Sequence, residues 1–129
     1  MEEFEDLLQK ADWKKEKHVP VITVLEATDG KVRVEASVGK EIGHPNTTAH
    51  HIEWIEVYFK PDDEKFPYLV GRYDFAAHGA STDGADTSTV YTAPEVTTTF
   101  KTEKPGVIYA KSYCNIHGLW VNTEKITLK

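Results

Sequence analysis

The sequence predicts an all-β fold, an antiparallel sandwich of about seven strands, and three observations carry that expectation. Short β-branched and aromatic runs recur from Val19 onward, turn residues separate them, and no apolar-periodic stretch is long enough for a core helix.

Residues 2–10 come first. Phe4, Leu7 and Leu8 stand at i, i+3 and i+4, which predicts a short amphipathic helix. A helix of that length is too short to be a domain. The run 21–25 is β-branched, and Asp29-Gly30 then supplies a hairpin turn into Val32, Val34, Ala36 and Val38, which alternate with Arg33, Glu35 and Ser37. Further strands are expected over 52–59, 68–75, 87–91, 96–102, 107–113 and 125–128, with turns at Pro61-Asp62, Asp83-Gly84 and Pro105-Gly106. Frequent turns with no long helix point to a sandwich of immunoglobulin-like type. The stretch 39–49, GKEIGHPNTTA, has the strongest loop character between strands, and loops on a rigid scaffold are where sites tend to sit.

Composition narrows the function classes. At 129 residues the chain is large enough to build one core without cross-links, and its 40% hydrophobic content is that of a globular domain. No apolar run approaches the roughly 18 to 20 residues of a membrane-spanning helix. A net charge of −6 argues against a nucleic-acid binder, which needs clustered cations to displace counterions. An anionic small substrate would need a local basic spot, and Lys14-Lys15-Glu16-Lys17 is the one such concentration. The acidic N-terminus, MEEFEDLLQK, lacks the character of a secretory signal, so a cytoplasmic location is expected.

Cys114 is the sole cysteine, so it has no partner for an internal disulfide. It lies three residues before His117 in SYCNIHGLW. Such a thiol is an inert buried side chain, a nucleophile beside a base, or one of two metal ligands. No Gly-rich strand-to-helix turn supports the nucleophile. Of the six histidines, His18 precedes a strand, His44 and His50 bracket HPNTTAH, and His117 follows Cys114, so the loops at one end of a sandwich can bring them together. His51 should point away from its neighbour His50 and serve a supporting or structural role, and His78 is expected to be an ordinary structural histidine.

The donor set leaves three metals to weigh. Structural zinc favours closely spaced Cys and His pairs, and blue copper wants an axial methionine, whereas Met1 is the sole methionine. Four nitrogens and one sulfur suit five-coordinate iron with one position open for a small diatomic ligand. A cupredoxin-like electron carrier and a zinc-stabilised binding module stay open as alternatives.

Three separated motifs, EKHVP at 16–20, GKEIGHPNTTAHHIEWIEVYF at 39–59 and SYCNIHGLW at 112–120, together resemble the superoxide reductase family of neelaredoxins and desulfoferrodoxins. The likeness runs from Asp12 onward, which implies an N-terminal extension over 1–11 and an iron-binding sandwich domain over 12–129. The resemblance implies an immunoglobulin-like sandwich holding one mononuclear iron, with His18, His44, His50 and His117 as equatorial ligands and Cys114 as the axial thiolate. It also implies reduction of superoxide to hydrogen peroxide, with electrons from an external donor of rubredoxin type. Lys17 then matches the lysine that attracts superoxide, and Glu16 the glutamate that can occupy the open position in the oxidised state. With one cysteine, the chain looks like the short, one-iron type without a desulforedoxin-like domain; a homotetramer is expected by analogy.

Overall fold

Two antiparallel sheets stack in the computed structural model, which describes residues 1–128. Strands β1 (Pro20–Thr28), β2 (Lys31–Val38) and β5 (Glu95–Lys101) form one sheet in the order β1-β2-β5. The other contains β3 (Ile52–Pro61), β4 (Tyr68–Asp74), β6 (Gly106–Cys114) and β7 (Gly118–Ile126) in the order β4-β3-β6-β7. Seven strands in two antiparallel sheets make the expected immunoglobulin-like sandwich.

Period-two patterning explains how the sheets face each other. The alternation in β2 buries Val32, Val34 and Ala36, which join Ile55, Val57 and Phe59 of β3 and Ile108 and Ala110 of β6 in one core. Each such aliphatic or aromatic side chain contributes roughly 1.5 to 3 kcal/mol through burial. The β1–β2 hairpin turns where the sequence placed it: Asp29 and Gly30 both take positive φ, 54° and 76°, as a two-residue hairpin turn requires.

Register fixes where the site lies. Pro20 pairs with Val38, and Ile52 and Gly118 each pair with Cys114, so the start of β1, the end of β2, the start of β3 and the β6–β7 turn occupy one end of the sandwich.

Three local expectations are corrected. Instead of an amphipathic helix, residues 2–10 form only a 3-10 turn over Phe4–Leu7. It is too short to propagate, lacks a side-chain cap, and leaves Phe4 and Leu7 exposed. Beyond it, Gln9 bridges to β7: its N–H donates to the Leu119 carbonyl at 3.0 Å, and its carbonyl accepts from Val121 at 2.9 Å. No strand forms over 87–91, because Asp86 and Thr89 take positive φ and the Thr87 and Ser88 amides both turn back to the Gly79 carbonyl. The last strand is not 125–128 but β7, which starts at Gly118 directly after the turn and pairs along the whole of β6.

Candidate metal centre

Asn115, Ile116 and His117 alone close the β6–β7 hairpin, and Gly118, at φ 82°, supplies the left-handed residue such a turn needs. The turn folds His117 back over the strand end, so that its backbone N–H donates to Cys114 Sγ at 3.3 Å. Cys114 ends the inward-facing alternation of β6 and is fully buried. His18 is fixed from two sides: its carbonyl accepts a bond from Ser112 Oγ at 3.1 Å, and its ring stacks on Trp120, centroids 4.9 Å apart and planes within 12°. His44 and His50 sit on the connection from β2 to β3.

These residues converge. The donor atoms of His18, His44, His50 and Cys114 all lie within 4.8 Å of one another. His117 completes the group: its Nδ1 is 3.1 Å from His18 Nε2 and 3.8 Å from Cys114 Sγ. The cluster is graded in depth, with Cys114 and His18 buried, His44 and His50 half-buried, and His117 exposed.

Two rings show which nitrogen faces inward. The outer Nδ1 of His44 lies 2.6 Å from the Pro45 carbonyl, which makes it the N–H and leaves Nε2 as a free lone pair 3.4 Å from Cys114 Sγ. Burial, reinforced by its charged neighbours, pushes the His44 imidazole down to about 4. Burial also lowers His50, with His117, His18 and Lys17 as smaller causes. Neutral imidazoles with inward lone pairs are the protonation state that ligation needs.

The donor set fits a single transition-metal ion. His50 Nε2 is buried with no hydrogen-bond partner, an arrangement that is costly unless something else satisfies the lone pair. One thiolate among several imidazoles is the mixed soft and borderline set such ions take. The sole methionine, Met1, is fully exposed at the N-terminus, so the axial sulfur of a blue-copper site is missing.

Around the cluster, Glu16 turns its carboxylate onto the back of His18. One oxygen accepts from the backbone N–H groups of His18 and Val19 at 2.6 and 3.0 Å, and the other meets His18 Nδ1. Burial alone would raise its pKa, but the bonds from the His18 ring and the two amides outweigh it and leave the carboxyl lowered. Glu16 is thus held on the outer nitrogen of His18, whose Nε2 faces His117. Lys17 is half-buried, forms no ion pair among the described residues, and is near enough to depress both His44 and His50.

His51 and His78 lie outside the cluster. They stack on each other, centroids 3.5 Å apart and planes within 6°, and His51 Nε2 is paired with Glu53 at 2.6 Å. Sequence reasoning missed Trp120 and Asn115. Both occur in the same nonapeptide as Cys114, but a stacked indole and a bridging amide have no spacing that marks them in advance.

Fold and site together define the class, an immunoglobulin-like sandwich with a cluster of His and Cys donors that could hold a metal at one end. Comparison with known proteins makes this specific: the desulfoferrodoxin family model matches residues 10–123, and the chain belongs to that family. It is 54% identical over 124 residues to a superoxide reductase of Pyrococcus furiosus, covering 96% of this chain and 98% of the relative. It is 51% identical over 126 residues to neelaredoxin of Megalodesulfovibrio gigas, covering 96% of each. Among solved structures, the superoxide reductase (neelaredoxin) of Archaeoglobus fulgidus in the reduced form superposes with a TM-score of 0.92 at 63% identity, covering 95% of this chain and 99% of that one.

Proposed function

We propose that this chain is a superoxide reductase whose mononuclear iron is held by His18, His44, His50, His117 and the Cys114 thiolate. The observation that carries this reading is the convergence of those donors on one small volume, with His50 Nε2 buried and unpartnered. Iron bound there supplies one electron to superoxide, and with two protons the product is hydrogen peroxide.

The chain's own residues do the rest. Cys114 presents its sulfur from the buried floor, while the exposed His117 gives the cluster an edge toward solvent. Lys17 places an unpaired ammonium beside the cluster, which draws in a small anion against a net charge of −6 and steadies charge that develops on its oxygen. Glu16, held on His18, keeps its carboxylate clear of the approaching anion.

Three finer assignments belong to the same proposal: a rubredoxin-like electron donor, a homotetramer and a cytoplasmic setting. The division into 1–11 and 12–129 is part of it too, with Gln9 clipping the extension to β7. No helix is long and apolar enough to cross a membrane among the described residues. The test is rapid mixing of reduced, iron-loaded protein with superoxide. One peroxide per electron consumed, with no oxygen released, is expected; oxygen release marks dismutation instead, and a protein that binds only copper or zinc after iron reconstitution loses the iron assignment.

A further inference from the structure

The His50 ring packs against those of His44 and His117 and, among the described residues, is anchored by no hydrogen bond of its own. The outer nitrogens of His18 and His44 are anchored by Glu16 and by the Pro45 carbonyl. The His50 ring makes no hydrogen bond among the described residues, so its position depends on the backbone beneath it. That backbone turns sharply, since Thr47 N–H donates to the His50 carbonyl at 2.9 Å and His50 N–H donates to Thr47 Oγ1 at 3.0 Å. The β3–β6 ladder has already ended at the Ile52–Cys114 pair, and no further strand partner is available.

Asn115 takes over there. Its N–H donates to the His51 carbonyl at 3.2 Å, extending the ladder by one bond. Its Oδ1 then accepts the His51 N–H at 2.8 Å, and its Nδ2 donates to the Ala49 carbonyl at 2.9 Å. Both residues flanking His50 are gripped by the residue that follows Cys114. His51 offers a donor and Ala49 an acceptor, so one side chain must present both; a short amide does so on two separate atoms, Asp and Ala have no donor, and Ser has a single, shorter hydroxyl for both tasks.

We propose that Asn115 is a positioning residue: it locks the Cys114–His117 turn to the Ala49–His51 segment and so sets where the His50 donor stands relative to the thiolate. The proposal rests on the reading that this cluster holds a metal. Partners that orient ligands in this way typically affect metal affinity by about 10- to 100-fold.

The experiment uses the full chain without iron, titrated with cobalt(II) in competition with a chromophoric chelator. Cobalt reports both affinity and, through its visible and thiolate charge-transfer bands, ligand geometry. Asn115→Ala is expected to bind about 10-fold or more weakly, with shifted bands, and Asn115→Ser to shift the bands in the same direction. Tyr73→Phe, which removes bonds to Thr97 and Thr98 away from the cluster, is the control for a general loss of stability. Wild-type affinity and spectrum in both Asn115 variants overturn the proposal, as does a loss of affinity matched by Tyr73→Phe at equal melting temperature. If both Asn115 variants fail to fold without metal, the amide is a stability element and the proposal also falls. Wild-type protein that binds no cobalt overturns instead the metal-centre reading on which the proposal rests.

Discussion

Lys17 tests the site one side chain at a time. Its ammonium has no carboxylate partner among the described residues and it is the chain neighbour of His18, so its charge stands close to the cluster. Lys17→Ala should slow the bimolecular reaction with superoxide roughly 10-fold at low ionic strength and flatten its dependence on salt, with iron content unchanged. Stopped-flow rates across a salt series check this, and equal rates at low salt remove Lys17 from the mechanism. At this scale the donors were legible because cysteine and histidine are scarce and their chemistry narrows the choices. Glu16 was only partly legible: EKH signals that it is near, but not that two backbone amides and His18 Nδ1 hold it behind the ligand. Asn115 was not legible, since an asparagine in a turn is ordinary until its partners across the sheet are known.

Two of the three stretches that carry donors are shaped by a glycine in the left-handed region. Gly39 and Gly118 take nearly the same left-handed conformation, at φ 85° and 82°, so an alanine at either meets a similar backbone penalty of about 1 to 2 kcal/mol. Their surroundings differ. A Cβ on Gly118 finds nothing within 4 Å, whereas one on Gly39 falls 2.7 Å from the backbone nitrogen of His44. Gly118→Ala should therefore lower stability by about the strain alone and keep near-normal iron content. Gly39→Ala has to move the His44 backbone as well, so it should cost more stability and release iron. Thermal melts with metal analysis of both variants decide, and full iron retention in Gly39→Ala would show that the β2–β3 connection adjusts freely. The strands with clean alternation, such as β2, could be read from sequence because a buried face leaves a period of two. β7 could not, because its first residues read as part of the C-x-x-H turn and its exposed Thr123, Glu124 and Lys125 hide the pattern. Residues 87–91 misled in the opposite way: they have strand composition, but the positive φ at Thr89 breaks the extended run.

At the scale of the whole molecule a metal held by the cluster would act as a cross-link. His18 leads into β1 of one sheet, Cys114 and His117 belong to the β6–β7 hairpin of the other, and His44 and His50 lie on the chain that passes between them from β2 to β3. The donors thus come from three separated stretches of sequence, and the unfolded chain holds no comparable site. A metal that binds only the folded state stabilises it by mass action, by roughly 4 kcal/mol when free metal is about 1,000-fold above its dissociation constant. A domain of this size shifts its melting point by a few degrees per kcal/mol, so iron removal should lower Tm by roughly 10 to 20 °C. The metal-free protein should still fold, because Cys114 is the one proposed ligand in the core cluster, whose other buried members, Val34, Ile55, Val57 and Ile108 among them, are apolar side chains that pack without a metal. Calorimetry of chelated and reconstituted protein checks both statements together. A Tm unchanged on chelation would show that the folded chain does not bind the metal in preference to the unfolded one, and a chelated protein with no cooperative transition would show that the sandwich depends on its metal to fold.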